Sequence, residues 1–321
     1  MATVTLSRED RSVSPPNGRA RTAGRRRPLR AAPFYFIIPA AAFYAFVVLW
    51  PSIQGVGFAF TDWNGLSPEK HFVGIQQFVK AFQDDAALAA LGHSIELAVG
   101  ITVVQNLIGL LLALGVNTRI KSRNILRVFL FAPVVITPVA AAFIWQYLFT
   151  PTGTINELLQ RIGLGGLQQN WLGDPRLALF SISIIVVWEY AGYSMVIFLA
   201  GLQGVPEESI EASLVDGAGP FRRFWYVIRP ELAPAITINL MLSVIASLKL
   251  FDQVQVTTGG GPGHATETLS TLIYKNVFQF NQFGYGIALA VLLTICVGII
   301  SVLQYRGLNR SERVSKRRTD S

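Results

Sequence analysis

The sequence predicts an all-α, polytopic membrane protein of six transmembrane helices with both termini cytoplasmic. Three observations lead there. The 321 residues are 51% hydrophobic and only 14% charged, with a mean hydropathy of +0.44, too apolar for an ordinary soluble domain. The apolar residues gather into six blocks, each near the ~20 residues of helix that cross a bilayer. The basic residues concentrate in alternate connections, as the positive-inside rule requires of a multi-pass chain.

The blocks run at about 33–60, 94–116, 126–149, 177–201, 234–256 and 284–305. In hydrocarbon each must close its backbone hydrogen bonds internally, which a helix does. The first is interrupted by Pro39 and Pro51 and ends in AFTDWNG, where Trp63 suits a membrane interface. Pro39 is expected to tilt or kink it.

Of the 27 Lys and Arg, 21 fall in the N-terminal tail, the 117–127 connection, the 202–233 loop and the stretch after 305. The alternate loops hold five (Lys70, Lys80, Arg161, Arg176, Lys275), and Lys249 lies within a span. Both termini and the 202–233 loop are therefore expected on the cytoplasmic side. The net charge of +8 is mostly this topology signal, and no nucleic-acid partner is expected.

Residues 1–32, rich in Arg, Ser, Pro and Gly, read as a disordered basic cytoplasmic tail, 33–305 as the membrane domain and 306–321 as a second basic tail. The basic GRRRPLR before an apolar segment also suits a signal peptide. That segment is too long for a signal h-region and lacks a small-residue cleavage site, so an uncleaved first span is expected. The lone Cys296 forms no internal disulfide, and His71, His93 and His264 are too scattered to make a metal-ligand set.

Between the fourth and fifth spans the chain reads GLQGVPEESIEASLVDGAGPFRRFWYVIRPELAP. Pro206 suits the first turn of a helix, Glu207 and Glu208 favour its positive N-terminal end, and Gly217 takes the left-handed conformation that stops it. A short helix over about 206–215 follows. A second starts near Pro220, with Phe221, Phe224, Trp225 and Ile228 on one face and Arg222, Arg223 and Tyr226 on others. It has the character of a segment lying along the inner membrane surface, aromatics toward lipid and arginines toward headgroups or water. Pro230 and Pro234 are expected to end it, giving a stiff projection able to transmit force.

This spacing resembles the signature of the permease subunits of binding-protein-dependent ABC importers: Glu-Ala-Ala, three residues, Gly, nine residues, Ile, one residue, Leu-Pro. Glu211 and Ala212 open it here, Gly217 holds the glycine position, Val227 that of Ile and Pro230 that of the proline. Ser213 replaces the second alanine and Arg229 the leucine. The Asp216-Gly217-Ala218 form, the stretch LFDQVQVTTGGGPGHATETLSTLIYKNVF and the order of six spans resemble the carbohydrate-uptake branch, which also includes glycerol-3-phosphate permeases.

The resemblance implies that the short helix is a coupling helix seated in a cleft of a separate ATPase subunit. Glu211 then faces a basic or polar group of that subunit, Ala212 and Ser213 permit close approach, and Gly217 makes the turn. It further implies two ATP-binding subunits carrying ATP and Mg, a second permease subunit, more consistent with a heterodimer, and an extracytoplasmic solute-binding protein. The location implied is the bacterial cytoplasmic membrane. The solute expected is a di- or oligosaccharide, with glycerol-3-phosphate as the alternative.

No GxxxxGK[ST] sequence occurs, so the chain is not expected to bind ATP or to be an enzyme. The cluster Gly259-Gly260-Gly261-Pro262-Gly263 is read either as a loop needing unusual backbone angles or as a surface that meets the binding protein. Polar residues inside the spans are costly in hydrocarbon and therefore informative. Glu189 with Tyr193 offers a carboxylate and an aromatic face for a sugar ring, and Asn239 and Ser243 stand one turn apart on the fifth span. Each has the competing reading of a polar contact between helices. Lys249 is read as a solute contact or, favoured, as the ion-pair partner of Asp252 three residues on. Glu96 is read as an outer-interface residue.

A secondary transporter would show mid-membrane coupling carboxylates and an internal repeat, and here only Glu189 qualifies. A phospholipid-synthase type of enzyme is suggested by Asp216-Gly217, but the next Asp downstream is Asp252, too far for its metal motif.

Overall fold

In a computed structural model of the chain the described residues are Tyr35, 37–118 and 121–319, with side chains described as far as Leu308. The expected disordered tail, 1–32, lies outside them. Among the described residues the architecture is all-helical, the one exception being an isolated bridge between Thr61 and Phe72. Five helices are long and apolar enough to cross a membrane, and a bent pair makes a sixth if it counts as one span.

The chain divides into two units, 1–51 and 52–321. In the first, helix α1 (Ile38–Phe58) begins, exposed along Ile38 to Trp50. Pro39 does not kink it: it occupies the first turn, where its missing N–H leaves no bond unmade. The irregularity lies further on, in a π turn at Ala45–Leu49 closed by the Trp50 N–H on the Ala45 carbonyl. Pro51 follows at once. The wider turn accommodates a residue that has no N–H to give and whose ring crowds the preceding turn.

In the second unit α2 is Gln76–Gln83 and α3 is Asp85–Val116, starting earlier than the expected 94 because Asp84 caps it by accepting from the Ala86 N–H. The expected third span is broken. Helix α4 (Arg123–Phe131) passes through a 3₁₀ turn, Ala132–Val135, into α5 (Pro138–Leu148) with a bend of 95°. Ile136 and Thr137 are extended, the Thr137 hydroxyl accepts from the Ala140 N–H and Pro138 opens α5, a helix-start signal set inside an apolar block.

After α6 (Thr154–Arg161) come α7 (Ala178–Gln203) and α8 (Glu207–Val215). Pro206 is the residue before the first turn of α8 rather than inside it. Helix α9 (220–231) is a turn at Pro220–Arg223, a π turn at Phe224–Ile228 and a turn at Arg229–Glu231. Pro230 therefore does not end it, for the π turn just upstream absorbs it as at Pro51. Pro234 lies in the first turn of α10 (Ala233–Leu248). Helices α11 (Asp252–Thr257), α12 (Leu269–Tyr274, prolonged by a π turn Lys275–Gln279) and α13 (Phe283–Thr319) complete the chain. The backbone of the second basic tail, as far as Thr319, continues α13.

The core is layered along α3, α7 and α10. Leu97 and Ile101 pack with Ile182, Val186 and Leu250, while Ala113 and Val116 pack with Phe198, Leu202 and Ala235. Helices α3 and α7 thus run in the same direction and α10 runs against them. At the start of α3, Ala87 and Ala90 pack with Leu272, Tyr285 and Leu289. Gly109 sets the spacing of the central pair, because a Cβ there would lie 2.5 Å from Cβ of Ser194. Small residues of this kind let membrane helices approach closely enough for their polar groups to meet.

Candidate functional site

Two places in the second unit concentrate polar groups: a chamber within the helix bundle and the α8–α9 projection. The chamber, about 420 Å³, is lined from α3 by Gln105, from α7 by Tyr190 and Tyr193, from α10 by Asn239 and Ser243, and from the 249–253 segment by Lys249, Phe251, Asp252 and Gln253. Its far wall is the Val134 to Pro138 break between α4 and α5. Both interrupted helices therefore give the chamber their breaks, where backbone leaves regular geometry beside a cavity.

Of the residues expected on a solute path, Tyr193, Asn239, Ser243 and Lys249 line this chamber and Glu189 does not. Glu189 is fully buried, its Oε2 accepting from Gln253 Nε2 at 2.8 Å, while its Oε1 is buried without a hydrogen bond. Asn239 and Ser243 are also buried, within a network joining three helices. Asn239 Nδ2 donates to the Ser194 carbonyl (3.2 Å), Asn106 Nδ2 to Ser243 Oγ (2.9 Å), and Gln105 Nε2 to Ser194 Oγ (2.9 Å). Helix-to-helix contact is thus their role in this conformation.

Lys249 and Asp252 form no ion pair. The i,i+3 expectation fails because α10 stops at Leu248, Lys249 is its cap and Phe251 (φ −131°, ψ −60°) leaves helical geometry. Asp252 instead opens α11, and both charged residues face the chamber. A larger groove of about 1010 Å³ crosses α3, α4 and α7, but its lining is mostly apolar, with the exposed Glu96 and Arg176 among its few charges. It offers few groups to orient a hydroxylated solute.

On the projection, Glu211, Ala212, Asp216 and Gly217 are exposed and Ser213 is buried, its Oγ donating to the Ile210 carbonyl at 2.6 Å. Gly217 has φ +70°, and the N–H groups of Gly217 and Ala218 close on the carbonyls of Leu214 and Ser213. A left-handed residue of this kind is what terminates a helix cleanly. Sequence reasoning missed Leu214 and Val215, which are 54% and 88% exposed beside Glu211. Two apolar residues uncovered on a polar loop were the available signal. Arg229, at the leucine position of the signature, places its guanidinium 4.6 Å from the Trp225 ring centre. Pro230, the last residue of the signature, is half-buried within α9.

The glycine cluster does adopt unusual angles: Gly259, Gly260, Gly263 and His264 all have positive φ. Gly260 lies against Glu267, whose Oε2 accepts from Lys275 Nζ at 2.6 Å and stands 3.0 Å from His264 Nδ1. Burial pushes the Glu267 carboxyl up. The hydrogen bonds from Lys275, His264 and Thr271, with the Lys275 charge, outweigh it and hold the group below the ordinary carboxylate value.

Residues 105–314 match the family described as binding-protein-dependent transport system inner membrane component. The multiple sugar-binding transport system permease protein MsmF of Streptococcus mutans is 32% identical over 80% of this chain and 88% of its own. The sn-glycerol-3-phosphate transport system permease protein UgpA of Yersinia pestis is 29% identical over 88% and 95%. In fold the chain resembles one from a bacterial ABC transporter involved in the import of the acidic polysaccharide alginate, with a TM-score of 0.76 and 20% identity over 86% and 94%. With the family's match covering well over half of its length, the chain belongs to the binding-protein-dependent inner membrane components, the permease subunits of ABC transporters.

Proposed function

We propose that this permease subunit forms half of a translocation pathway for a di- or oligosaccharide, with the chamber of α3, α7 and α10 as its solute-facing part. The observation that carries the sugar reading is the chamber lining. Tyr193 and Phe251 offer aromatic faces for a ring, and Lys249 and Asp252 add one charge of each sign, which suits a neutral hydroxylated solute. Relatives named for sugar transport support it. Asn239 and Ser243 already line the chamber, and Glu189 is the further candidate to join the path when the bundle opens.

Both termini and the α8–α9 projection lie in the cytoplasm, as the distribution of Lys and Arg indicates. There Glu211, Ala212, Ser213, Asp216, Gly217 and Pro230 form the docking element for an ATPase subunit, with Leu214 and Val215 supplying apolar contact. Two such subunits hydrolyse ATP with Mg, a second permease chain completes the pathway, and an extracytoplasmic binding protein delivers the solute. The multi-pass chain resides in the bacterial cytoplasmic membrane. Glycerol-3-phosphate is the second reading, favoured by Lys249 in the chamber and by the relation to UgpA. Binding of a panel of sugars and phosphate esters to the partner binding protein, followed by ATP-driven uptake into vesicles holding the whole complex, separates the two. Uptake of the phosphate ester alone would refute the sugar reading.

A further inference from the structure

A second polar cavity, about 400 Å³, lies at the C-terminal end of α11. Gln146, Thr150, Asn170, Thr257 and Thr258 line it together with the Gly261–Pro262 turn. Helix α11 has six residues, about 9 Å at 1.5 Å per residue. Asp252 and Gln253 at its first turn face the chamber, and Thr257 at its last faces this second cavity. The short helix thus lines both polar compartments, one with each end.

Neither end of α11 continues into a regular helix. The chain leaves helical geometry at Lys249–Phe251 before it, and two left-handed glycines, Gly259 and Gly260, follow it. Two side-chain hydrogen bonds tie it to neighbouring helices. Gln146 Nε2 of α5 donates to the Thr257 carbonyl at 3.2 Å, and Gln253 Nε2 donates to Glu189 Oε2 of α7 at 2.8 Å. The second joins two side chains that are 3% and 0% exposed; Tyr190 also interacts with the Glu189 carboxylate, whose Oε1 is buried without a hydrogen bond of good geometry. Apolar packing already holds the helix through Val254, which sits in the core with Leu97, Ile101 and Ile182, so a buried carboxylate is a costly addition to its anchoring. It suits a contact meant to be broken.

We propose that the Glu189–Gln253 hydrogen bond is the latch of α11, and that its release joins the second cavity to the chamber. The proposal rests on the orientation given above, in which the second cavity faces the extracytoplasmic side. Glu189 is a positioning residue in this closed state and acts through Gln253.

The test uses the full complex in membranes, in a Cys296→Ser background, with one reporter cysteine in place of Thr150 or Ala246. A membrane-impermeant thiol reagent is added from the extracytoplasmic side. Thr150→Cys reports the second cavity and Ala246→Cys the chamber. Glu189→Leu and Gln253→Leu are expected to speed labelling at 246 about tenfold and to leave labelling at 150 unchanged, the scale set by losing a buried hydrogen bond. Glu189→Gln, which keeps an acceptor, and the swap Glu189→Gln with Gln253→Glu should both label like the parent. Unchanged labelling at 246 in both leucine variants, at parental abundance, overturns the latch. So does a swap that labels like the leucine variants, which keeps the test decisive if those fail to assemble. Labelling of 150 only from the opposite side would instead overturn the orientation.

Discussion

Lys275 donates to Glu267 at 2.6 Å, with both side chains largely withdrawn from solvent, and this pair fixes the 258–268 loop to α12. The Glu267 carboxyl is held below its ordinary value, so the stabilisation is fully present above about pH 4.3 and is lost as pH falls through the lowered value. Protection of the loop's amides, taken relative to their intrinsic exchange rates at each pH, should therefore hold from neutral pH to about 4.3 and fall as pH drops further. Lys275→Ala removes one partner of a buried pair, a loss of about 3–5 kcal/mol, and should give fast exchange already at neutral pH. Slow exchange in that variant would contradict the assignment.

Two glycines of α3 should respond oppositely to a side chain. A Cβ at Gly100 meets nothing within 4 Å, so Gly100→Ala should raise the thermal midpoint slightly, by the ~0.5–1 kcal/mol that alanine gains over glycine in a helix. At Gly109 a Cβ would lie 2.5 Å from Ser194 Cβ, and Gly109→Val should separate α3 from α7. Thermal unfolding followed by size exclusion in detergent compares them. Equal midpoints would mean that the helices are not set by this contact.

The buried network makes a smaller claim. Asn239→Leu removes the bond to the Ser194 carbonyl, and interhelical hydrogen bonds in membranes are worth about 0.6 kcal/mol on average. The midpoint should fall by only a few degrees. A collapse of the fold would show that Asn239 does more than join helices.

In the chamber, Lys249→Met and Asp252→Asn should each reduce uptake about tenfold, as losing one good solute contact does. Membrane abundance should not change, since neither residue is in an ion pair. Initial uptake rates at equal abundance decide it, and undiminished uptake in both variants would place the solute elsewhere.

While the third block holds a pair of helices bent by 95°, the other five spans were legible in the sequence because apolar blocks of about 20 residues have few alternatives in length or composition. So was the α8 projection, since Glu207, Glu208 and Gly217 carry their reasons locally, in the helix dipole and the left-handed turn. The prolines misled at Pro39, which sits in a first turn where it costs no bond, and at Pro230, which the π turn just upstream absorbs. Thr137-Pro138 was a readable start signal hidden by the apolar block around it. The break at Lys249–Phe251 and the burial of Glu189 had no local signal. Both arise from what α7, α10 and α11 present to one another, which one span's sequence does not contain.

Helix α8, stopped at Gly217, is proposed to couple this chain to an ATPase. That coupling is tested most directly by ATP-driven solute uptake into vesicles carrying the whole complex at equal permease abundance, comparing the parent with Glu211→Lys, Gly217→Val and Gly217→Asn. No atom lies within 4 Å of a Cβ at Gly217, so a substitution there acts through the backbone, where the left-handed conformation costs most residues about 1–2 kcal/mol and asparagine less. Uptake should fall at least about tenfold in Glu211→Lys and Gly217→Val and be largely kept in Gly217→Asn. Parental uptake in both Glu211→Lys and Gly217→Val would contradict the coupling.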